Sequence, residues 1–541
     1  MPMRKYPLLW LLGAMLVLNV APTEAIDDLD QWTLQQKVAQ MFVFSFYGET
    51  LNQPSRAVLE SWSVGAVVLL PSNLNTPEQI TRLTNDIQRT LRDQGAPPAL
   101  IATDQEGGII AHLEQGFTEF PVPALLTATQ NPDLAYAFGT ALAREMSAVG
   151  IHMNLAPVAD LDTNPDNPVI GRRSFGSDPA LVAPMVAQVV RGLQDHGVLA
   201  TVKHFPGHGD TSADSHLELP IISHSQAQLE ARELIPFRAA ISADTAAIMT
   251  AHVYYEALQP QPDMPASLSS AIINDLLREQ LGYDGLVITD ALDMDAIDTV
   301  YTPAEAAIRA VQAGNDLILL GAHVSPRTHR ASMQAVYDAV QNGTISEARI
   351  DASVARILAA KARFNMLNWR ELDALSAPDR INRHVHTALV DIMFQQGITL
   401  VAGAELLQAR TAQTLFVFPA TRPSLWRECQ MDNWRGLGVS QRPSVQEIQA
   451  VQMAAQSAER VIVITQNAAT NAPLRRLVAS LPAERTLVTA IWSPDDRRYL
   501  APTAGYLLTY SPLTRLNRPL CAILRGEQPA LGTLSVNLYG A

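Results

Sequence analysis

Cysteine is nearly missing from this chain. Cys429 and Cys521 are the two in 541 residues, so at most one disulfide can form, and the sequence leaves open whether they pair or stay as buried thiols. Basic charge is also in short supply. A net charge of −14 removes the basic face that nucleic acid or an anionic membrane needs, so neither is expected as a partner. The apolar run Leu8 to Val20 is short for a bilayer span, and Asp27, Asp28 and Asp30 follow soon after it. Solenoid repeats and low-complexity tracts are absent as well.

What is present fits a globular protein: 48% hydrophobic and 17% charged residues, with a length that calls for two to four domains. Arg4 and Lys5 precede the apolar run, and Thr23-Glu24-Ala25 sets small residues at the −3 and −1 positions of a cleavage site. Residues 1–25 therefore read as a signal peptide, and the chain is expected to be exported to a periplasm or the exterior. Stable membrane insertion is not expected.

From residue 38 to about 320, short apolar runs alternate with segments whose apolar residues recur at helical spacing. The runs begin at Met41, Gly65, Ala99, Met153, Leu199, Ala247, Leu286 and Leu317. Strand–helix alternation implies right-handed crossovers and a parallel sheet, and eight units predict an α/β fold built on a (β/α)8 barrel over residues 26–370. Asp104, Asp160, Lys203-His204, His252 and Asp290 fall at the C-terminal ends of these runs, the face where such barrels build active sites. A linker and connecting helix over residues 371–393, with Ser376-Ala377-Pro378 as the break, leads to a smaller α/β sandwich over 394–541. Four or five strands are expected there, from Ile398, Leu415, Val461, Leu487 and Tyr506.

The stretch from Lys203 to His216, Lys-His-Phe-Pro-Gly-His-Gly-Asp-Thr-Ser-Ala-Asp-Ser-His, holds the densest chemistry. Clustered ionisable groups after a buried strand mark an active-site loop. Asp214 and His216, two apart, offer an imidazole and a carboxylate to orient it. Asp290 ends another buried run, where a barrel points a carboxylate into its pocket, and Asp293 and Asp295 compete with it from beyond the strand end. His204, His208 and His216 also allow a zinc site, but Phe-Pro-Gly between the first two disfavours the fixed helical pair such sites use.

These motifs resemble glycoside hydrolase family 3, in the two-domain form of its β-N-acetylglucosaminidases. The resemblance covers most of residues 30–370 and, more weakly, the closing segment Ala522 to Gly532. It implies Asp290, within Thr289-Asp290-Ala291-Leu292-Asp293-Met294, as nucleophile, His216 as acid/base and Asp214 as its orienting partner. It further implies sugar binding by Asp104 of Asp104-Gln105-Glu106-Gly107-Gly108, by Arg173 of Gly171-Arg172-Arg173-Ser174-Phe175, and by Lys203 and His204. One departure stands out: His112 occupies the place of an arginine that grips substrate.

The resemblance implies a retaining enzyme that removes terminal N-acetylglucosamine from peptidoglycan fragments or chitin-type oligosaccharides. A monomer is expected, with no metal or organic cofactor. A phosphorylase or β-glucosidase on the same scaffold is the near alternative, and a non-catalytic wall- or sugar-binding protein the distant one.

Overall fold

Proline and a capping side chain start most of the crossover helices. Pro77, Pro132, Pro179, Pro303 and Pro326 each open a helix, behind Thr76, Asn131, Asp178, Thr302 and Ser325, whose side chains accept a backbone N–H of the first turn. A proline there gives up an N–H that has no helical partner anyway. The result, in a computed structural model that describes residues 29–538 except 323, 410 and 411, is a barrel followed by a second α/β domain. The expected signal peptide lies outside the described residues.

The barrel strands are β1 (Phe42–Phe44), β2 (Ala66–Val68), β3 (Leu100–Thr103), β4 (Met153–Asn154), β5 (Leu199–Phe205), β6 (Ala247–Thr250), β7 (Leu286–Thr289) and β8 (Ile318–Leu319). Each pairs in parallel with its chain neighbour from β1 to β7, and β8 returns to β1. A parallel bridge between Ile288 and Leu317 joins β7 to β8, with Thr289 N to Leu317 O at 3.1 Å, and closes the ring. Both faces of every strand are covered, which is why the strands are continuous apolar runs rather than alternating ones.

The second sheet has β9 (Thr399–Ala402), β10 (Thr414–Pro419), β11 (Trp434–Val439), β12 (Arg460–Thr465), β13 (Thr486–Ala490) and β14 (Gly505–Leu508). Its order is β9-β14-β13-β12-β10-β11, all parallel except β9 against β14. The sheet thus holds one strand more than the sequence predicts: β11, an edge strand. Cys429 and Cys521 are bonded, joining helices Pro423–Cys429 and Asn517–Leu524 with 4.7 Å between their Cα atoms.

The segment expected as a linker is packed, not free. Ala377 is buried in a one-turn helix, Arg380 donates to Ala148 O, and Asn85 exchanges two hydrogen bonds with Leu372. Helix Arg383–Gly397 then runs against the barrel, with His386 Nδ1 2.7 Å from Glu145. The chain's end comes back to the barrel too. Ser177 N donates to Ser535 O at 3.1 Å, and that carbonyl lies so close over Gly176 that any Cβ there would collide with it. Among the described residues no helix is long and apolar enough to cross a membrane.

Candidate active site

At the C-terminal mouth of the barrel lies a pocket of about 590 Å³. Its first wall comes from β3. Asn154 on β4 clamps the Gln105 backbone, accepting its N–H at 3.0 Å and donating to its carbonyl at 2.9 Å. With that strand direction fixed, Asp104 and Glu106, two residues apart, face the same side. Both enter the pocket.

Glu106 is the hub. Arg173 grips it with two bonds, Nε at 2.9 Å and Nη2 at 2.7 Å, and Lys203 Nζ lies 2.8 Å away. Burial alone would push this carboxyl up, but the Arg173 and Lys203 charges outweigh it and hold the pKa at about 2. Lys203 also meets Asp104 at 2.5 Å, and the two carboxylates raise its pKa against the opposing effect of burial. The cations that would hold sugar hydroxyls are therefore fixed and charged before substrate arrives.

Asp160 does for His204 what Glu106 does for Arg173. It accepts His204 Nδ1–H at 2.6 Å and the backbone N–H of His208 at 2.7 Å. His204 Nε2 lies 3.4 Å from Arg173 Nη2. Asp160 is fully buried; burial would raise its pKa, yet His204 and the His208 amide bring it below the usual value.

The loop after β5 is tied down on several sides. Asn167 Nδ2 donates to the carbonyls of His208 and Gly209, at 2.9 and 3.1 Å. Gly209 lies against the Leu161 carbonyl, a contact no side chain would permit. His208 is pushed down to about 4 by burial and by neighbouring His204, and its Nε2 sits 2.9 Å from the Ser215 hydroxyl. Ser215 separates Asp214 from His216, whose Nδ1 is 2.8 Å from Asp214 Oδ1.

Asp290 follows β7 directly. Its backbone N–H is held by Thr250 O at 3.1 Å, and its Oδ1 accepts the Ala291 N–H at 2.8 Å. Burial opposes ionisation here, but His204, His252 and that N–H lower the pKa. His252 donates Nε2–H to Ala291 O at 2.9 Å and takes Ser267 Oγ on Nδ1 at 2.7 Å, so it braces the Asp290 turn.

Seven of the eight candidate residues line this one pocket: Asp104, His112, Arg173, Lys203, His204, His216 and Asp290; Asp214 stands behind His216. Asp293 and Asp295 also line it, Asp295 at the start of the helix Asp295–Asp298. His112 sits 3.3 Å from Thr103 Oγ1, its pKa lowered by burial. His204, His208 and His216 do not converge. Each has a ring nitrogen committed to Asp160, to Ser215 or to Asp214. Among the described residues the ligand atoms that do converge are on Asp210, His224 and Glu233, and the Arg232 guanidinium already sits 2.6 Å from Asp210 and 3.0 Å from His224. The sequence assigns no role to Glu106 or Asn167, places Asp160 only at a strand end, and offers His208 only as a candidate zinc ligand. Glu106 carries a signal in its place two residues after Asp104, and Asp160 in its place past the Met153 run.

Residues 33–360, the barrel with its mouth, match the N-terminal domain of glycosyl hydrolase family 3. The chain belongs to this family. It is a glycosidase, and its substrate is a carbohydrate. A family 3 β-N-acetylglucosaminidase from a Paenibacillus species has 35% identity and a TM-score of 0.82, with 94% of this chain and 99% of that one covered. Beta-hexosaminidase A of Pseudoalteromonas piscicida is 33% identical over 333 residues, 58% of this chain and 56% of that protein. The match thus spans little more than half the length of that relative. A Beta-hexosaminidase of Alkalilimnicola ehrlichii is 39% identical over 282 residues, 51% of this chain and 79% of that protein. The Paenibacillus comparison extends well past residue 360, so that enzyme shares the fold of both domains.

Proposed function

We propose that this family 3 glycosidase releases terminal β-linked N-acetylglucosamine from peptidoglycan fragments or chitin-type oligosaccharides, with retention. The carrying observation is that Asp290, ionised and braced, shares one pocket with a histidine held by its own carboxylate. In the first step an Asp290 oxygen attacks the anomeric carbon while His216 gives its Nε2 proton to the departing glycosidic oxygen. In the second, the now neutral His216 takes a proton from water, the water attacks the same carbon, and the bond to Asp290 breaks. Asp214 holds the Nδ1–H throughout and supports the imidazolium before the first step and after the second. Lys203, Arg173, Asp104 and His204 hold the sugar's hydroxyls, and His112 borders the same cavity. The names of the relatives support the N-acetylhexosamine preference.

Turnover of a chromogenic N-acetylglucosaminide beside the matching β-glucoside tests this reading. Preference for the glucoside overturns it. A phosphorylase is the second reading, because a neutral histidine repels phosphate less than a carboxylate acid/base would. A sugar phosphate formed only when phosphate is added would establish that alternative.

We further propose export, with cleavage after Ala25. Support comes from the N-terminal charge and apolar pattern and from the Cys429–Cys521 bond, which suits an oxidising compartment. An intact N-terminus in the mass of the mature protein overturns it.

A further inference from the structure

In an open α/β sheet, a ligand crevice forms outside the carboxyl ends of the strands where successive connections leave in opposite directions. The second domain has such a point. The chain leaves β10 for its outer neighbour β11, then crosses back to β12 on β10's other side and continues to β13 and β14. Above this divergence lies a cavity of about 240 Å³, walled by Pro419 at the end of β10, Val439 at the end of β11 and Ile464 in β12. The activity proposed above makes no use of it.

The rim of this cavity is built before any ligand arrives. Asn471 Nδ2 donates to Gln441 O at 2.6 Å, and Arg442 Nη2 to Thr470 O at 3.2 Å, joining the loops after β11 and β12. Asp496, 1% exposed, accepts the Ala468 N–H at 2.6 Å, and Arg475 holds the carbonyls of Ala468 and Ala469. Asn467 takes a left-handed conformation, φ 55°, at the turn. Local backbone of this kind persists where its surroundings hold it, often at ligand sites.

Unused donors and acceptors face this framework. The side-chain amides of Gln441, Gln466 and Asn467 line the cavity and bond to no other described residue. Trp492 adds an indole, and Arg442 is the one charged residue in a lining without a carboxylate, in a chain of net charge −14. Amides beside an aromatic ring suit sugar hydroxyls and an acetamido group, and a guanidinium suits a carboxylate. The turn leaving β10, Pro419-Ala420-Thr421, has no glycine to let a pyrophosphate reach the backbone, which sets the site apart from dinucleotide crevices.

The cavity also borders the catalytic domain. The Arg172 guanidinium lies 4.1 Å from the Trp492 ring centre, and the next residue, Arg173, lines the catalytic pocket. We propose that this crevice is a second glycan site, selective for an N-acetylhexosamine that bears a carboxylate. The inference rests on the glycan-hydrolase reading for its ligand class.

The test is calorimetric titration of the full chain with N-acetylmuramic acid, in the presence of saturating N-acetylglucosamine to occupy the catalytic pocket. Binding is expected in the wild type, weakened about tenfold in Arg442→Ala, the loss of one charge-assisted hydrogen bond. Gln466→Ala should weaken it less. Both variants should hydrolyse a chromogenic N-acetylglucosaminide at the wild-type rate, which also reports an intact fold. No binding to the wild type, or equal binding by Arg442→Ala, overturns the proposal; so does full competition by the neutral sugar. Titration reads the crevice and turnover reads the catalytic pocket, so failure of one reading is told apart from failure of the other.

Discussion

Asp214 Oδ1 accepts two bonds from His216, the ring Nδ1–H at 2.8 Å and the backbone N–H at 2.9 Å. One oxygen thus sets both the ring's tautomer and the loop's local turn, while 59% of the imidazole side chain stays open to solvent. The partner is fixed and the proton-exchanging nitrogen is free.

Removing that imidazole should hurt poor leaving groups most. His216→Ala is expected to lose about 10²–10⁴ in kcat on unactivated oligosaccharides and far less in the first step on activated aryl glycosides, where a glycosyl-enzyme should accumulate. Asp214→Ala should show the same pattern more weakly. Equal losses across both substrate types, measured by steady-state and burst kinetics, would assign His216 to binding.

Asp290→Asn should lower turnover by about 10⁴-fold or more while the circular dichroism spectrum is unchanged, because an amide cannot form the glycosyl ester. Near-normal rates in that variant would move the nucleophile to Asp293.

Glu106→Gln should cost about 3–5 kcal/mol, since it leaves Arg173 and Lys203 buried with less negative charge. The carboxyl's folded pKa of about 2 lies below its ordinary 4.5, so its contribution is complete above pH 4.5 and is lost as pH falls through about 2. Melting curves should show the wild-type advantage shrinking over that window. KM should rise as well, because both cations lose their anchor.

Asp162 behaves in the opposite sense. Burial, and then Asp495 across the domain contact, pushes it up from 3.8 to about 7. The folded state keeps a proton that the unfolded chain gives up, so stability declines as pH rises from 3.8 through 7. Asp162→Asn should therefore have a Tm that falls less between pH 5 and pH 8 than the wild type's. A gap between the two proteins that does not change with pH would place the cost elsewhere.

The disulfide closes a segment of 92 residues within the second domain. Its loss in Cys429→Ser should cost about 2–4 kcal/mol by freeing the unfolded chain. Thermal unfolding with and without reductant reads this directly, and the reductant should have no effect on the variant.

The barrel was legible because its strands are buried on both faces, so each is an unbroken apolar run such as Leu286–Thr289. Strand β11 was not. Trp434-Arg-Gly-Leu-Gly-Val439 is an edge with exposed positions and two glycines, and it carries neither a run nor an alternation. The same contrast separates the site residues. Asp290, Asp104 and Asp160 stand at strand ends, a position the sequence displays, though it does not display what each one binds. Glu106 matters because Arg173 and Lys203 converge on it from distant segments, and Asp160 because His204 and His208 fold back onto it.

The Ser535 carbonyl that lies over Gly176 has a bearing on how the molecule is made. Helix Pro179–Gln194 belongs to the middle of the barrel, yet the N–H of Ser177 at its approach finds its acceptor more than 300 residues later, beyond the second sheet. In a barrel of residues 29–370 alone, that N–H would have to turn to water. Cutting the barrel free would therefore bare the Gly176–Ser177 backbone that Ser535 covers in the whole structure.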